Sequence, residues 1–272
     1  MKLSTKFTFE WDKNALSRAF AWVWLQFKPP KERREALRNR EMSIELISAG
    51  NLAVLLLIFG WAGLYFSYQY NFVETPRYYT GPLFAIGPTL FLQQFRFDAL
   101  DFFCTYFYVY GLGLLYLFFW GVSFASEKTM WKLALCFLAC WIMQGTLQLA
   151  LGAASPIRIP GNGAHFIRYE VFPMSEAMIG IKYGAIPSGH IGAPIILYLT
   201  GKVKNIKWIQ WLAIVYFALF WFIVLYLGEH FVFDGLVSMV LYPTLFLGTW
   251  KLGGYLEKWQ AKRKEVIANG QR

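Results

Sequence analysis

The residues best suited to chemistry in this chain are two histidines and an aspartate. His230 and Asp234 stand four apart, which puts both side chains on one face of a helix. A carboxylate bonded to one ring nitrogen fixes the imidazole tautomer and raises the basicity of the other nitrogen, the orienting role seen in catalytic triads. His190 is a second imidazole. With an ordinary pKa near neutrality, one ring can attack while the other gives or takes a proton. His190 closes the run Pro187-Ser188-Gly189-His190. Pro and Gly suit a sharp turn into a helix, and N–H groups at a helix start, together with Ser188 Oγ, form a natural phosphate cradle. Arg158, in Ser155-Pro156-Ile157-Arg158, offers a bidentate contact to phosphate oxygens. Lys182 and Arg168 are further cations in the same segment. Singly, each feature has a structural reading: a His-x-x-x-Asp hydrogen bond, a turn, a headgroup-anchoring arginine. Their order and their common position at helix starts point to phosphoryl transfer.

The elements that must hold these residues are membrane helices. Hydrophobic residues make up 57% of the chain and charged residues 15%, against about 25% charged in soluble domains. Much of the surface is therefore expected to face lipid. Six apolar runs read as spans: Leu46 to Phe66, one within Phe102 to Ser126, one within Leu133 to Ile157, Ile186 to Val203, Trp208 to Gly228, and Phe231 to Trp250. The fully apolar part of the fourth, Ile191 to Gly201, is too short to cross a core of ~30 Å at ~1.5 Å per residue. If it spans, His190 sits at or below the membrane surface, where ionisable groups usually face a cavity.

Loop charge gives the direction. Lys28, Lys31, Arg33, Arg34, Arg38 and Arg40 precede span one; Lys128 and Lys132 lie between spans two and three. Lys202, Lys204 and Lys207 lie between spans four and five, and Lys258, Lys262, Arg263 and Lys264 follow span six. All four groups fall on one side of a six-span chain, and the positive-inside rule makes that side cytoplasmic. Both termini are then inside, with Arg158, His190 and His230 outside. The net charge of +10 is orientation charge in this reading, not a nucleic-acid footprint. The sequence thus reads as an all-α integral membrane protein of six transmembrane helices. Residues 1–43 form a cytoplasmic segment with an amphipathic helix at Ala15 to Phe27, residues 44–252 the catalytic domain, and residues 253–272 a basic cytoplasmic tail. The first apolar run begins only after about 40 polar and basic residues, which is not the pattern of a cleavable signal peptide. Cys104, Cys136 and Cys140 lie inside apolar runs and read as small core residues. The outer loop Gln69 to Leu100 carries an apolar portion, Gly81 to Phe95, that suits a half-inserted segment, a lid or an interfacial packing helix.

The motif residues resemble the type 2 phosphatidic acid phosphatase superfamily, which includes vanadium haloperoxidases. Its signatures are Lys-x6-Arg-Pro, Pro-Ser-Gly-His and Ser-Arg-x5-His-x3-Asp, placed in membrane members after span three, before span four, and between spans five and six. Pro187-Ser188-Gly189-His190 is complete, and His230 and Asp234 stand for the third. The departures are Leu151 where the first signature has Lys, Ile159 and then Pro160 after Arg158, and Val224 where the third has Arg. Tyr183-Gly184-Ala185-Ile186 before the second signature and Tyr226-Leu227-Gly228-Glu229 before His230 are closer to the aureobasidin-resistance branch, similar to inositol phosphorylceramide synthases. The resemblance implies that His230, oriented by Asp234, attacks phosphorus and that His190 protonates the leaving oxygen, then activates water or an alcohol. It implies phosphate contacts from Arg158, Ser188 and Gly189, with Lys182 or Arg168 replacing the missing cations. It further implies no metal or organic cofactor, a phospholipid or isoprenoid-phosphate substrate, and in the transferase case a lipid alcohol acceptor. Two other classes fit parts of the sequence. A zinc hydrolase would use His165, His190, His230 and Asp234, though no His-Glu-x-x-His pair is present. A transporter would use the same intramembrane ionisable groups as an ion path, though no repeat between halves is evident.

Overall fold

The computed structural model describes residues 6–10, 15–39, 41–45, 77–125, 129–175 and 184–270, with isolated positions between 56 and 64. Span one and Lys182 therefore lie outside the described residues, apart from those isolated positions. Near the N-terminus, strand β1 (Lys6–Glu10) pairs antiparallel with β2 (Glu41–Glu45), an addition to the all-helical expectation. Between them run α1 (Ala15–Phe27), over the expected residues, and α2 (Pro30–Asn39). Further along, the chain forms a 3₁₀ turn at Pro82–Phe84 and α3 (Gly87–Gln93).

Four helices of the described residues are long and apolar enough to cross a membrane: α4 (Asp98–Ala125), α5 (Met130–Leu151), α8 (Lys207–Tyr226) and the Val232–Ile267 part of α9 (Val232–Gly270). Helix α9 continues the sixth apolar run straight into the basic tail, and there Lys132 of α5 pairs with Glu257 at 2.7 Å. Helix α7 (Gly189–Val203) is only 15 residues long, about 22 Å at ~1.5 Å per residue, short of the ~30 Å core. Its position explains how it holds. Eleven of its residues, from Gly189 to Gly201, are buried, and it packs against α4, α8 and α9.

Close packing around α7 rests on small residues. A Cβ on Gly192 would lie 2.0–2.4 Å from the Tyr242 ring of α9, and that ring is tethered by its hydroxyl to Gln144 of α5. Gly192→Ala is therefore expected to lower stability by about 1–3 kcal/mol through overpacking. Thermal unfolding of the detergent-solubilised protein measures this, and an unchanged midpoint would contradict the α7–α9 contact.

The helix directions separate the two ends of the bundle. His190, Asp234 and the end of α8 lie at one end. At the other, Lys204 bonds to Thr129, Trp208 Nε1 donates to the Gln26 carbonyl at 3.0 Å, and Phe27 packs edge-on against Trp208 with ring centroids 5.5 Å apart. The α1–α2 unit is thus docked on the basic end, away from the histidines. All three cysteines are buried and free.

Candidate active site

His190 sits in the first turn of α7, His230 in the turn between α8 and α9, and Asp234 in the first turn of α9. The two imidazole centroids are 6.1 Å apart, and all three side chains are buried.

Each ring is held by an acceptor that fixes its tautomer. His230 Nδ1 lies 2.8 Å from the Ala185 carbonyl and 3.3 Å from Asp234 Oδ2. A carbonyl can only accept, so Nδ1 carries the hydrogen and donates it. The lone pair is then on Nε2. Asp234 Oδ2 also accepts the Phe231 N–H at 2.8 Å, which pins the carboxylate across the turn. His190 shows the complementary pattern: its Nε2 donates to the Tyr108 carbonyl of α4 at 3.1 Å. That leaves Nδ1 as the basic nitrogen. Its ring stacks on the Tyr108 ring at 3.9 Å and 19° and meets Phe220 edge-on at 5.2 Å.

The loop before α7 is built to present the Ala185 carbonyl. Ala185 N–H donates to the Ala153 carbonyl at 3.1 Å. Gln148 Nε2 of α5 donates to the carbonyls of Gly184 at 2.7 Å and Pro187 at 2.8 Å. Ser188 is the N-cap of α7, its Oγ accepting the Ile191 N–H at 3.4 Å, the usual use of a serine at that position. Its carbonyl accepts from Ser238 Oγ of α9 at 3.0 Å, so the α7 start is tied to the helix that carries Asp234. A Cβ on Gly189 would be 2.7 Å from Gln144 Nε2, so the Gln144 amide packs directly over the start of α7.

The cations come from the segment between α5 and α7. Arg158 ends the 3₁₀ turn Pro156–Arg158. That turn packs onto the α8–α9 junction, where the Ile157 N–H donates to the Gly228 carbonyl at 3.1 Å. Gly228 has φ +68°, and a Cβ there would meet Ile157 Cγ2 at 2.4 Å, so both backbone and space require glycine. Arg168 lies on the short helix α6 (Ile167–Val171). It is buried, and its Nε donates to Glu229 Oε1 at 2.6 Å. Its other contacts are Ser175 Oγ at 3.1 Å and Tyr169 Oη at 2.6 Å. Burial alone would lower the Arg168 pKa, but the Glu229 carboxylate outweighs it and the pKa is raised; the group stays cationic. Its Cζ is 5.5 Å from the centroid of the Tyr108 ring that stacks on His190.

The two positions where the resemblance expects cations hold apolar residues. Val224 is 2% exposed in the core, and its carbonyl accepts the Glu229 and His230 N–H groups at 3.0 and 3.4 Å. Leu151 is half-buried at the end of α5, where its carbonyl accepts from Tyr79 Oη at 3.1 Å. The apolar segment holding the Pro82–Phe84 turn and α3 lies on the same junction. Phe84 packs against Phe231 and Phe233 at 5.5 and 4.9 Å, and Gln93 Nε2 donates to the Tyr226 carbonyl at 2.9 Å.

Sequence reasoning did not single out Tyr108, Gln148, Tyr169 or Glu229 as site residues. Glu229 carried a usable signal, as a carboxylate next to a candidate nucleophile in a chain whose candidate cations include Arg168. His165 does not join the histidine pair through any contact among the described residues; it is exposed, and its main chain bonds to the Gln93 side chain. Among the described residues no group of three His, Cys, Asp or Glu side chains is disposed to hold a metal ion.

Residues 85–247, more than half of the chain, match the PAP2 superfamily, and the chain belongs to it. Members of that superfamily are generally phosphatases or phosphotransferases, and membership points to phosphatase-like phosphoryl transfer on lipid phosphates in a membrane. No curated protein and no solved structure matches the chain.

Proposed function

We propose that this protein is an integral membrane lipid-phosphate phosphatase or head-group phosphotransferase that works through a phosphohistidine on His230. The observation that carries the reading is the Ala185 carbonyl on His230 Nδ1 at 2.8 Å, which leaves the Nε2 lone pair for attack. His230 Nε2 attacks phosphorus as the bond to the leaving oxygen breaks. His190, entering protonated on Nδ1, gives that proton to the leaving oxygen. In the second step His190 Nδ1 takes a proton from water or an alcohol, whose oxygen attacks phosphorus and breaks the N–P bond. Asp234 Oδ2 stabilises the positive charge on the phosphorylated imidazole. Arg158, Ser188 and the Gly189 N–H hold the phosphoryl oxygens. Three of the five N–H donors of Arg168 bond to protein groups, and the other two suit a phosphate contact. Lys182 joins this set as a further phosphate contact.

Both termini and the docked α1–α2 unit are cytoplasmic in this reading, the histidines face the outer side, and span one completes six helices. The orientation rests on the basic residues at the end opposite the site. Water and a lipid alcohol differ only as second-step acceptors. Relatedness to inositol phosphorylceramide synthases, suggested by the residues flanking both histidine motifs, makes the alcohol route the one to test. A panel of lipid phosphates and phosphodiesters, with and without acceptor lipid, tests the reading. Wild-type protein is expected to turn over at least one, and His190→Ala to lose about 10²–10⁴-fold in kcat. Release of free phosphate regardless of acceptor would remove the transferase route. Full activity of the His190 variant would remove the proposed acid and base.

A further inference from the structure

Two guanidinium groups converge on one phenol oxygen beside the histidines. Arg158 Nη2 donates to Tyr169 Oη at 2.5 Å, and Arg168 Nη2 donates to the same oxygen at 2.6 Å. Both cations also lie over the Tyr169 ring, with Cζ at 5.6 and 4.3 Å from its centroid. Two like charges drawn to one oxygen repel each other, so their surroundings must hold them. Arg168 is fixed from behind by Glu229 and Ser175. The ring between them is fixed through its neighbours: Ile167 is fully buried, and Glu170 pairs with Arg96 at 2.9 Å. Three consecutive residues of α6, namely Arg168, Tyr169 and Glu170, are each engaged by a side chain from elsewhere in the fold or by one another.

A phenol oxygen is a weaker acceptor for guanidinium groups than an anionic phosphate oxygen. The pair is also next to the chemistry, because the Tyr108 ring that Arg168 faces is the ring stacked on His190. We propose that Tyr169 is a positioning residue. Its hydroxyl holds Arg158 and Arg168 together as a two-arginine clamp for one phosphate oxygen, and it keeps both guanidinium groups in place while the substrate oxygen binds beside the phenol oxygen. This rests on the phosphoryl-transfer reading above. It also bears on the apolar residues at 151 and 224: Arg168 on α6 adds a cation beside the signature arginine Arg158.

Tyr169→Phe tests this, because it keeps the ring and removes only the shared acceptor. KM for a lipid phosphate and the inhibition constant of inorganic phosphate are each expected to rise about tenfold, with kcat within about threefold, the pattern of a lost binding contact. In an Arg158→Ala background the same change is expected to raise KM by less than about threefold, since contacts acting through one another are not additive. A Tyr169 with only a structural role would lower the melting temperature and kcat in both backgrounds and leave KM and phosphate inhibition unchanged, which would overturn the proposal. Full additivity with Arg158→Ala would overturn it too. Calorimetric titration of inorganic phosphate into the solubilised wild type and Tyr169→Phe proteins separates this inference from the activity. Tenfold weaker binding in the variant, with no lipid turnover by the wild type, keeps the clamp and removes the phosphoryl-transfer reading. Normal turnover with equal phosphate binding does the reverse.

Discussion

Replacing His230 with alanine is expected to lower kcat for a lipid phosphate by at least about 10⁴-fold, the scale seen when a nucleophile is removed from a catalytic unit. The expectation follows from the bonding of the ring. Its Nδ1 hydrogen goes to the Ala185 carbonyl at 2.8 Å, and Asp234 Oδ2 stands at 3.3 Å. Only Nε2 is left with a lone pair, and no other imidazole in the site has the same supports. His190 has its own carbonyl, that of Tyr108, and is committed to the opposite tautomer. It therefore cannot take over the role without breaking a buried hydrogen bond and a ring stack. The stability cost should be about 1–3 kcal/mol, because the buried Ala185 carbonyl and Asp234 carboxylate each lose a partner, and the melting temperature separates an inactive but folded variant from an unfolded one. Activity within tenfold of wild type in a folded His230→Ala protein would contradict the assignment of the nucleophile.

Glu229→Ala is expected to have the largest effect on stability, about 3–5 kcal/mol, because it leaves a buried guanidinium without its carboxylate. Arg168 is 2% exposed and Glu229 7%, and Nε and Oε1 are 2.6 Å apart. Solvent cannot replace the lost partner at that depth. Glu229 also immediately precedes His230, so activity should fall with stability. The double variant Glu229→Leu, Arg168→Met removes both charges and is expected to recover most of the stability, as replacement of buried ion pairs by apolar groups does. It should not recover activity, because Arg168 is proposed to contact phosphate. Thermal unfolding and turnover measured on the single and double variants check this. Recovery of both in the double variant would limit the pair to a structural role.

Much of this was legible from residue type and spacing, for reasons that differ from element to element. The apolar runs mark α4, α5, α8 and the first part of α9, since lipid-facing helices must be apolar on nearly every side. The mixed run at Ala15–Phe27 marked α1. The i, i+4 spacing of His230 and Asp234 does bring the carboxylate to the ring. It did not show that the closer acceptor is the Ala185 carbonyl, 45 residues away, because any residue type can supply a carbonyl. The Tyr108 carbonyl on His190, 82 residues away, was hidden for the same reason. Arg168 was named as a cation, but its engagement by Glu229 depends on how α6 folds back onto the α8–α9 junction, which no periodicity records. The β1–β2 ribbon had a signal that the apolar runs overshadowed. Lys6-Phe7-Thr8-Phe9-Glu10 and Glu41-Met42-Ser43-Ile44-Glu45 both alternate polar and apolar with a period of two, the strand pattern. The shortness of α7 read in the sequence as a problem for a spanning helix. In the fold it marks a central helix that α4, α8 and α9 enclose.

The covalent intermediate is the central claim and can be measured directly. The wild-type protein is incubated briefly with a lipid phosphate carrying labelled phosphorus, quenched in alkali, and mapped by peptide. Label is expected on His230 as an acid-labile, alkali-stable phosphoramidate, and absent from His230→Ala. Rapid turnover with no protein-bound label, or label in an acid-stable ester on another residue, would contradict the account.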